Sequence, residues 1–199
     1  IDNVSVGDQA CLRLRREKFK SRVGYNFNGL TQSFAPPSAT YFFPNYQIGR
    51  GISVWVKIPP SQSGLGTIIK WGSNMPYKKS ALAISNGRPR FDSRCGILTA
   101  NGSPDLRDNK WHHIVFAHES NSRLSSANSK FYVDGTQVGT SFTDVCGGTP
   151  KIINTDMNNL EMGTDSTLQN SHFKGAMSDL RVYVNPLSVG QIESLFMGN

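Results

Sequence analysis

Between residues 52 and 58 the chain alternates strictly, with isoleucine or valine at every even position and other residues between them. Successive side chains of a β-strand point to opposite faces of a sheet, so this pattern predicts a strand with one apolar face. Pro59 and Pro60 end the strand, because proline cannot donate a hydrogen bond to a neighbouring strand. Such a strand needs partner strands and a second layer of structure to cover its apolar face.

Two tight turns predict β-hairpins elsewhere in the chain. Asn86-Gly87 and Asp134-Gly135 each lie between short segments that contain apolar or aromatic residues. Both dipeptides tolerate the positive φ angles of a type I′ turn, so each predicts two antiparallel strands joined by a two-residue loop. Strands are also predicted over residues 111–118 and 177–184. The sequence therefore predicts an all-β domain that is mainly antiparallel.

The C-terminal part of the chain predicts one strand and then one short helix. In the strand, Leu180 and Val182 share one predicted face, while Met177 lies on the other. In the helix, Ser188 is a good N-cap residue and Gln191 completes a capping box. We expect this helix to close one end of the β-structure.

Composition fits one globular domain and excludes two other classes. The chain has 199 residues, of which 37% are hydrophobic and 18% charged, so it is too apolar for a disordered chain. No apolar run approaches the roughly 20 residues that span a bilayer, so no membrane span is predicted. We predict one domain over residues 22–199. A basic segment over residues 1–21 precedes it and is expected to form an edge strand of the same domain.

A run of six cations begins at Arg13 in the basic segment and ends at Arg22, directly after it. One interpretation is an edge strand whose charges prevent pairing with other chains. The other is a stripe that binds anions. The formal net charge of the whole chain is +7, which favours polyanionic partners without choosing among them.

The three cysteines allow one disulfide and one free thiol. Cys11 lies in the charged N-terminal stretch, so Cys95 and Cys146 are the expected pair. The chain has no Cys-x-x-Cys pair, and a thiolate zinc site is therefore not expected.

Three segments, in their order and spacing, resemble a known family. They are Asp-Asn-Lys-Trp-His-His-Ile-Val-Phe over residues 108–116, Lys-Phe-Tyr-Val-Asp-Gly over residues 130–135, and the pattern F-x-G-x-x-x-D-x-R-x-Y over residues 173–183. Together they resemble the laminin-G-like jelly rolls of the concanavalin A-like lectin and glucanase superfamily. The resemblance covers residues 22–199.

The resemblance implies a concanavalin A-like jelly-roll sandwich, with two antiparallel sheets and one short C-terminal helix. It also implies a lectin-like, non-catalytic recognition module that binds a glycan or glycoprotein, and the positive net charge favours acidic glycans. One alternative is a protein–protein adhesion or structural module, as in matrix or viral coat proteins. Another is a polysaccharide hydrolase or lyase. Nothing resembles an RNA-binding motif, so no nucleic-acid partner is expected.

The acidic residues bear on the enzyme alternative. Retaining glycosidases place two carboxylates about 5 to 5.5 Å apart. None of Glu17, Glu119, Glu161 and Glu193 has an acidic partner at a suitable spacing on one strand, and Glu161 with Asp165 comes nearest. We therefore predict no enzyme and assign no catalytic residue.

Two adjacent histidines keep the lyase alternative open, because lyases of this fold use histidine with arginine and tyrosine. His112 and His113 fall on a predicted strand, so they point to opposite faces. We expect one to be buried and hydrogen-bonded, and the other to lie on the opposite surface.

The resemblance further implies a structural calcium ion. Ca²⁺ prefers carboxylate and carbonyl oxygen ligands. Asp179 matches the aspartate of the family's late strand, and Asn26, Asn28 and Gly29 match the early segment that meets it. The early partner is commonly acidic in the family and is asparagine here. Asp179 has the alternative of pairing with a nearby arginine.

The connection that follows Trp71 predicts a glycan site. Sugar sites combine an aromatic surface for the apolar face of the ring with polar groups for the hydroxyls. Trp71 and Tyr77 are the candidate aromatic surfaces, although Trp71 has the alternative of packing inward. Arg88 and Arg90 share a strand face and are candidates for binding carboxylate or sulfate. The complete predicted set is Trp71, Asn74, Tyr77, Lys78, Lys79, Arg88 and Arg90.

An extracellular location, or the surface of a cell or virion, is expected from the same reasoning. Asn-x-Ser sequons at Asn3 and Asn101 fit a secreted protein. The chain begins at Ile1, which fits a mature product or a piece of a longer protein.

Overall fold

The computed structural model describes residues 24–35, 43–157 and 159–198. Within them, two antiparallel six-stranded sheets pack face to face and one short helix follows, which confirms the predicted sandwich. No helix in these ranges is long and apolar enough to cross a membrane. The basic segment 1–21, with its predicted edge strand, lies outside the described residues.

The elements are numbered along the chain. They are β1 (Tyr25–Asn28), β2 (Arg50–Lys57), β3 (Leu65–Gly72), β4 (Lys79–Ser85), β5 (Arg88–Asp92), β6 (Gly96–Thr99), β7 (Trp111–His118), β8 (Ser129–Val133), β9 (Thr136–Val138), β10 (Ser141–Asp144), β11 (Glu161–Met162), β12 (Lys174–Tyr183) and α1 (Val189–Met197). The first sheet has the order β1-β12-β2-β7-β8-β9, and the second has the order β10-β6-β5-β4-β3-β11.

Both predicted hairpin turns are confirmed. Asn86 and Gly87 join β4 to β5 with φ angles of 49° and 79°. Asp134 and Gly135 join β8 to β9 with φ angles of 51° and 79°. Two successive positive φ angles match the twist of the flanking strands, which is why these dipeptides set the strand register.

The core lies between the sheets and follows the alternation in β2. Ile52, Val54 and Val56 are fully buried in it. Phe91 of the second sheet stacks on Phe116 of the first, with ring centroids 4.0 Å apart. Each such buried side chain contributes roughly 1.5 to 3 kcal/mol relative to exposure.

The helix α1 has the predicted caps but not the predicted position. The Ser188 side chain and Gln191 form the capping box, and Gly198 ends the helix with φ 80°. Instead of closing one end, α1 covers the outer face of the first sheet, where Ile192 packs with Val115 and Tyr132 in a second apolar cluster. Apolar side chains on that face need a cover, and this requirement decides where the helix lies.

The pattern of β12 is interrupted by a bulge. Its pairing with β2 shifts register between Ser178 and Arg181, and Asp179 has φ 51°. Met177 therefore lies in the same core as Leu180 and Val182, which corrects the predicted outward face for Met177. A bulge adds one residue to one strand and so reverses the inward and outward alternation.

Candidate functional site

One end of the sandwich is built by connections rather than strands. Their contacts fix them to one another. Tyr46 and Thr155 exchange backbone hydrogen bonds of 2.5 and 3.1 Å, and the Asn154 amide donates to the Tyr77 carbonyl at 2.8 Å. Ser73 donates from both its backbone and its hydroxyl to Asp156. We call this surface the loop end, and it comprises residues 43–49, 73–78, 119–128 and 145–157.

A disulfide anchors one of these connections, residues 145–157. Cys95 and Cys146 are bonded across a sequence separation of 51, so the predicted pairing is confirmed. The Val145 amide also donates to the Cys95 carbonyl at 2.8 Å. Further along the connection, Ile153 is buried in the core. The connection is therefore held at both ends although it contains no strand.

Gly72 permits the close approach of three segments at the loop end. A Cβ atom there would lie 2.1 Å from the Lys78 carbonyl oxygen and 2.7 Å from the Thr155 side chain. Gly72 also has φ +86°, in the left-handed region where glycine pays no steric penalty. Any larger residue would push the connections apart.

A groove of about 520 Å³ crosses the loop end. Lys78, Arg123 and Lys151 all line it, and each is exposed. None of the three forms an ion pair with a described residue, and no acidic side chain of the described chain lines the groove. Pro76 and Tyr77 supply an apolar wall. We call this surface the cationic groove. It concentrates positive charge where a ligand has access.

A second cavity of about 430 Å³ adjoins the cationic groove and shares Gln47 and Asn154 with it. The lining residues that belong to this cavity alone include Tyr46, Ser120 and Asn121. We call it the amide pocket, because its polar lining consists of amide and hydroxyl groups. Its described lining carries no charged side chain.

Two tyrosines hold strained backbone angles at these cavities. Tyr46 has φ 48° and lines the amide pocket, and Tyr77 has φ 59° and lines the cationic groove. The other non-glycine residues with positive φ in the described chain are asparagine or aspartate, apart from Arg94. Bulky residues pay roughly 1 to 3 kcal/mol for this conformation, and such strain gathers at ligand sites.

Arg50 supports the loop end from inside. It is fully buried, and it donates to the carbonyls of Tyr46 and Ile48 at 3.2 and 2.8 Å and to the Thr155 hydroxyl at 2.6 Å. Burial lowers the pKa of Arg50 to about 9. No described carboxylate pairs with it. The arginine therefore adds positive charge beneath the two cavities.

Charges on the outer face of the second sheet have a different arrangement. Lys79 lies 3.1 Å from Asp165 and 3.4 Å from Asp92, and Lys70 lies 3.2 Å from Glu161. Both lysines are almost fully buried, and we call these five residues the ion cluster. Burial raises the pKa of Asp165, but hydrogen bonding by Thr167 and the charge of Lys79 outweigh it and hold that pKa below its ordinary value.

Residues 42–193 match the sequence profile described as the concanavalin A-like lectin/glucanases superfamily. The chain belongs to this superfamily. A comparison with curated protein sequences found no match to this chain.

Solved structures that resemble this concanavalin A-like domain share its fold at low identity. Domain 4 of an extracellular arabinanase from Geobacillus stearothermophilus, in complex with arabinotriose, has 16% identity and a TM-score of 0.61 over 93% of this chain and 80% of that one. A Trypanosoma rangeli sialidase in complex with sialic acid has 22% identity and a TM-score of 0.59. The match covers 94% of this chain but only 29% of the sialidase.

Another match is a toxin domain. The binding domain of a Paraclostridial mosquitocidal protein has 12% identity and a TM-score of 0.61, over 98% of this chain and 47% of that domain. At these identities the likeness shows the concanavalin A-like fold alone.

The predicted glycan-binding residues of this concanavalin A-like domain are dispersed. Trp71 is 2% exposed, and its indole N–H donates to the Pro44 carbonyl. It therefore packs inward, which was the alternative to a role in glycan binding. Lys79 is engaged in the ion cluster. Arg90 is half-buried and pairs with Asp92 at 3.1 Å, while Arg88 lies exposed beside the hairpin turn at the far end of β5.

Three members of the predicted set do lie at the loop end. Asn74 is half-buried in the connection 73–78, Lys78 is exposed, and Tyr77 is 6% exposed. Tyr77 and Lys78 both line the cationic groove. The structure therefore brings three of the seven predicted residues to one surface and places the other four elsewhere.

The four predicted calcium ligands do not converge. β1 pairs with β12 so that Asn28 lies opposite Lys174, with Gly29 beyond it and Asn26 opposite Ala176. Asp179 lies five residues beyond Lys174 along β12. At the rise per residue of a β-strand, the Cα atoms of these two residues are about 16 Å apart.

Two of the four predicted ligands also have hydrogen-bonded side-chain oxygens. Both carboxylate oxygens of Asp179 accept from Arg181 at 2.9 and 2.8 Å, and the side-chain oxygen of Asn28 accepts from three backbone amides. No cluster of three His, Cys, Asp or Glu in the described ranges suits a metal ion. The structure therefore does not bring these four residues together, and the structural calcium ion stays a prediction.

The acids considered for catalysis are held by other groups. Glu161 accepts from Lys70 and from the Ser166 backbone and hydroxyl. Asp165 accepts from Lys79 and Thr167. These carboxylates serve as partners for buried cations and hydroxyls within the fold.

The two adjacent histidines lie on opposite faces, as predicted. His113 is buried and its Nε2 lies 2.8 Å from the Ser53 hydroxyl, under the helix. His112 lies between Asp134 and Asp108, at 2.8 and 3.1 Å. Burial lowers the pKa of His112, but these two carboxylates raise it more, so it stands above its ordinary value.

Several residues of the two cavities had no signal in the sequence. Tyr46, Arg123 and Lys151 follow no periodic pattern and come from separate connections. The only available hints were turn-forming residues nearby, such as Gly147-Gly148 ahead of Lys151. Only the fold brings these side chains to one surface.

Proposed function

We propose that this concanavalin A-like domain is a non-catalytic recognition module that binds acidic glycans through the cationic groove. The observation that supports this proposal is the exposure of Lys78, Arg123 and Lys151 around one groove, without a described acid to neutralise them. A carboxylate or sulfate group would accept charge-assisted hydrogen bonds from these cations. Pro76 and Tyr77 offer the apolar wall that a sugar ring requires.

The structural relatives support a sugar ligand in general terms. One was solved with arabinotriose and another with sialic acid, which itself carries a carboxylate. The groove differs from a hydrolase site, because the described lining offers no carboxylate for acid–base chemistry. We therefore propose binding without turnover.

The setting of the module follows from the same features. The Cys95–Cys146 disulfide favours an oxidising compartment, so we propose an extracellular or surface location. There the module would meet a glycan or glycoprotein partner. Adhesion through a protein partner is the alternative, and exposed Met75 and Met157 on the loop end are the residues that favour it.

The test is binding to an array of neutral and acidic glycans at low and high salt, with a triple variant of the groove. In Lys78→Met/Arg123→Met/Lys151→Met we expect binding to the acidic glycans to fall at least roughly tenfold, because each lost charge-assisted contact costs on the order of 1 kcal/mol. Binding by the unaltered chain should weaken strongly with salt.

A matched control removes the same charge elsewhere. Arg88→Met/Lys110→Met/Lys57→Met also lowers the net charge by three but leaves the groove intact, because none of these residues contacts the loop end, so affinity should stay within roughly twofold. Equal losses in both triple variants would show a non-specific charge effect and refute the groove. Release of reducing sugar from any bound glycan would refute the non-catalytic role.

A further inference from the structure

We propose that the amide pocket is a second sugar subsite, which holds a neutral sugar next to the acidic sugar in the cationic groove. The inference rests on the proposed function and extends it from an acidic group to an oligosaccharide. Its ligand class is a glycan in which an acidic residue is linked to an uncharged one.

The two cavities are adjacent. Gln47 and Asn154 line both of them, so a ligand that fills the cationic groove borders the amide pocket. The volumes of about 430 and 520 Å³ each fall within the range of small-ligand sites. A ligand longer than one sugar would therefore occupy both.

The lining of the amide pocket suits a neutral sugar. Gln47, Asn121 and Asn154 each carry an amide that donates and accepts, which matches hydroxyl groups, and Ser120 adds a hydroxyl of its own. No described charged side chain lines the pocket, so it offers no counter-ion to a carboxylate or sulfate. The charge of the lining residues therefore changes from positive in the cationic groove to neutral in the amide pocket.

Tyr46 supplies the aromatic surface. Tyr46 is 63% exposed, although its backbone is hydrogen-bonded to neighbouring segments. Two backbone bonds with Thr155 and one from Arg50 to its carbonyl maintain its φ of 48°. The surroundings thus hold the backbone of Tyr46 in a strained conformation and leave its ring exposed to solvent. Such an exposed, fixed aromatic ring is suited to stacking against a ligand.

The experiment compares acidic sugars with and without a neutral neighbour. Calorimetric titrations use two pairs of probes: the methyl glycoside of sialic acid with 3′-sialyllactose, and methyl glucuronide with glucuronosyl-N-acetylglucosamine. For at least one pair, the unaltered chain should bind the extended probe roughly five- to tenfold more tightly than the single sugar, since one ring stacks on Tyr46.

Variants at Tyr46 distinguish the contribution of the aromatic ring from that of the backbone conformation. Tyr46→Asn removes the ring while keeping a residue that tolerates positive φ, so it should fold and bring the ratio to about one. Tyr46→Phe keeps the ring and should retain most of the ratio. Lys78→Met should weaken both members of a pair by a similar factor and leave the ratio unchanged.

The outcomes are distinguishable. Equal affinity of the unaltered chain for both members of each pair, or an unchanged ratio in folded Tyr46→Asn, would overturn the second subsite and leave the proposed function standing. Failure of all four probes to bind the unaltered chain would remove the proposed function and the subsite together.

Discussion

The ion cluster and the loop end both carry cationic side chains, but of these two regions only the ion cluster has described carboxylates that form ion pairs with its cations. Lys78 and Lys79 show the contrast most directly, because they are neighbours in the sequence. Lys79 is 1% exposed between two aspartates, whereas Lys78 is exposed at the groove. Positive net charge by itself therefore says little about binding, since part of it is neutralised inside the fold.

The difference follows from strand geometry. Lys79 is the first residue of β4, and its side chain points to the outer face of the second sheet, where Asp92 of β5 also points. Lys78 precedes the strand and belongs to the connection that lines the groove. One residue along the chain separates a buried structural cation from an accessible one.

The largest expected effect comes from removing the buried cation. Lys79→Met should lower the free energy of unfolding by about 5 kcal/mol. This is the upper end of the range for breaking a buried ion pair, because Asp165 and Asp92 both lose a partner. Urea denaturation measures the change. Lys78→Met is the matched control, and its stability should stay within roughly 0.5 kcal/mol. Similar losses in both variants would break the comparison.

The next effect concerns the disulfide at the loop end. Cys95→Ser/Cys146→Ser should lower the free energy of unfolding by about 4 kcal/mol, because the bond closes a loop of 51 residues in the unfolded chain. It should also weaken acidic-glycan binding, because Lys151 lies on the connection that the bond anchors. Thermal unfolding and the glycan array measure the two effects. Full binding by the folded double variant would contradict this role of the bond.

The smallest effect concerns His118, which is buried near the charge of Arg50. Burial, and then the positive charge of Arg50, lower the pKa of His118 from 6.5 to about 3. The unfolded chain then takes up a proton that the folded chain excludes, so this stability is complete above pH 6.5 and falls as the pH drops toward 3. The loss at pH 5 is about 2 kcal/mol.

Urea midpoints of the unaltered chain and of His118→Asn, measured at pH 7.5 and at pH 5, test this expectation. The variant has no group that titrates at this position, so its midpoint should fall less between pH 7.5 and pH 5 than that of the unaltered chain. His112, whose pKa stands above its ordinary value, acts in the same window with the opposite sign, but both proteins retain it and its contribution cancels in the comparison. A change of equal size in both proteins would show that His118 does not exclude a proton from the folded chain.

The sequence predicted what depends on local pattern. The alternation in β2, the turns at Asn86 and Asp134 and the capping box at Ser188 all act over a few residues, and the structure confirms each of them. The Cys95–Cys146 pair was also predicted, because the third cysteine lay in a different kind of segment.

The sequence did not predict what depends on distant pairing. Lys79 and Asp165 are 86 residues apart, so nothing near Lys79 indicated that it is neutralised. The bulge at Asp179 reversed the face of Met177, and the pairing of β1 with β12 sets the proposed calcium ligands apart. The cationic groove draws its three cations from three connections, none of which has a periodic pattern.

The junction between the connection 73–78 and β4 sets how this protein can diverge. A one-residue shift of β4 against its neighbours would turn each of its side chains to the opposite face. Evolution can instead exchange Lys78, Arg123 or Lys151 one at a time, at little cost to folding, because exposed side chains tolerate replacement. Related domains would then keep the register of β4 and differ in the charge of the groove.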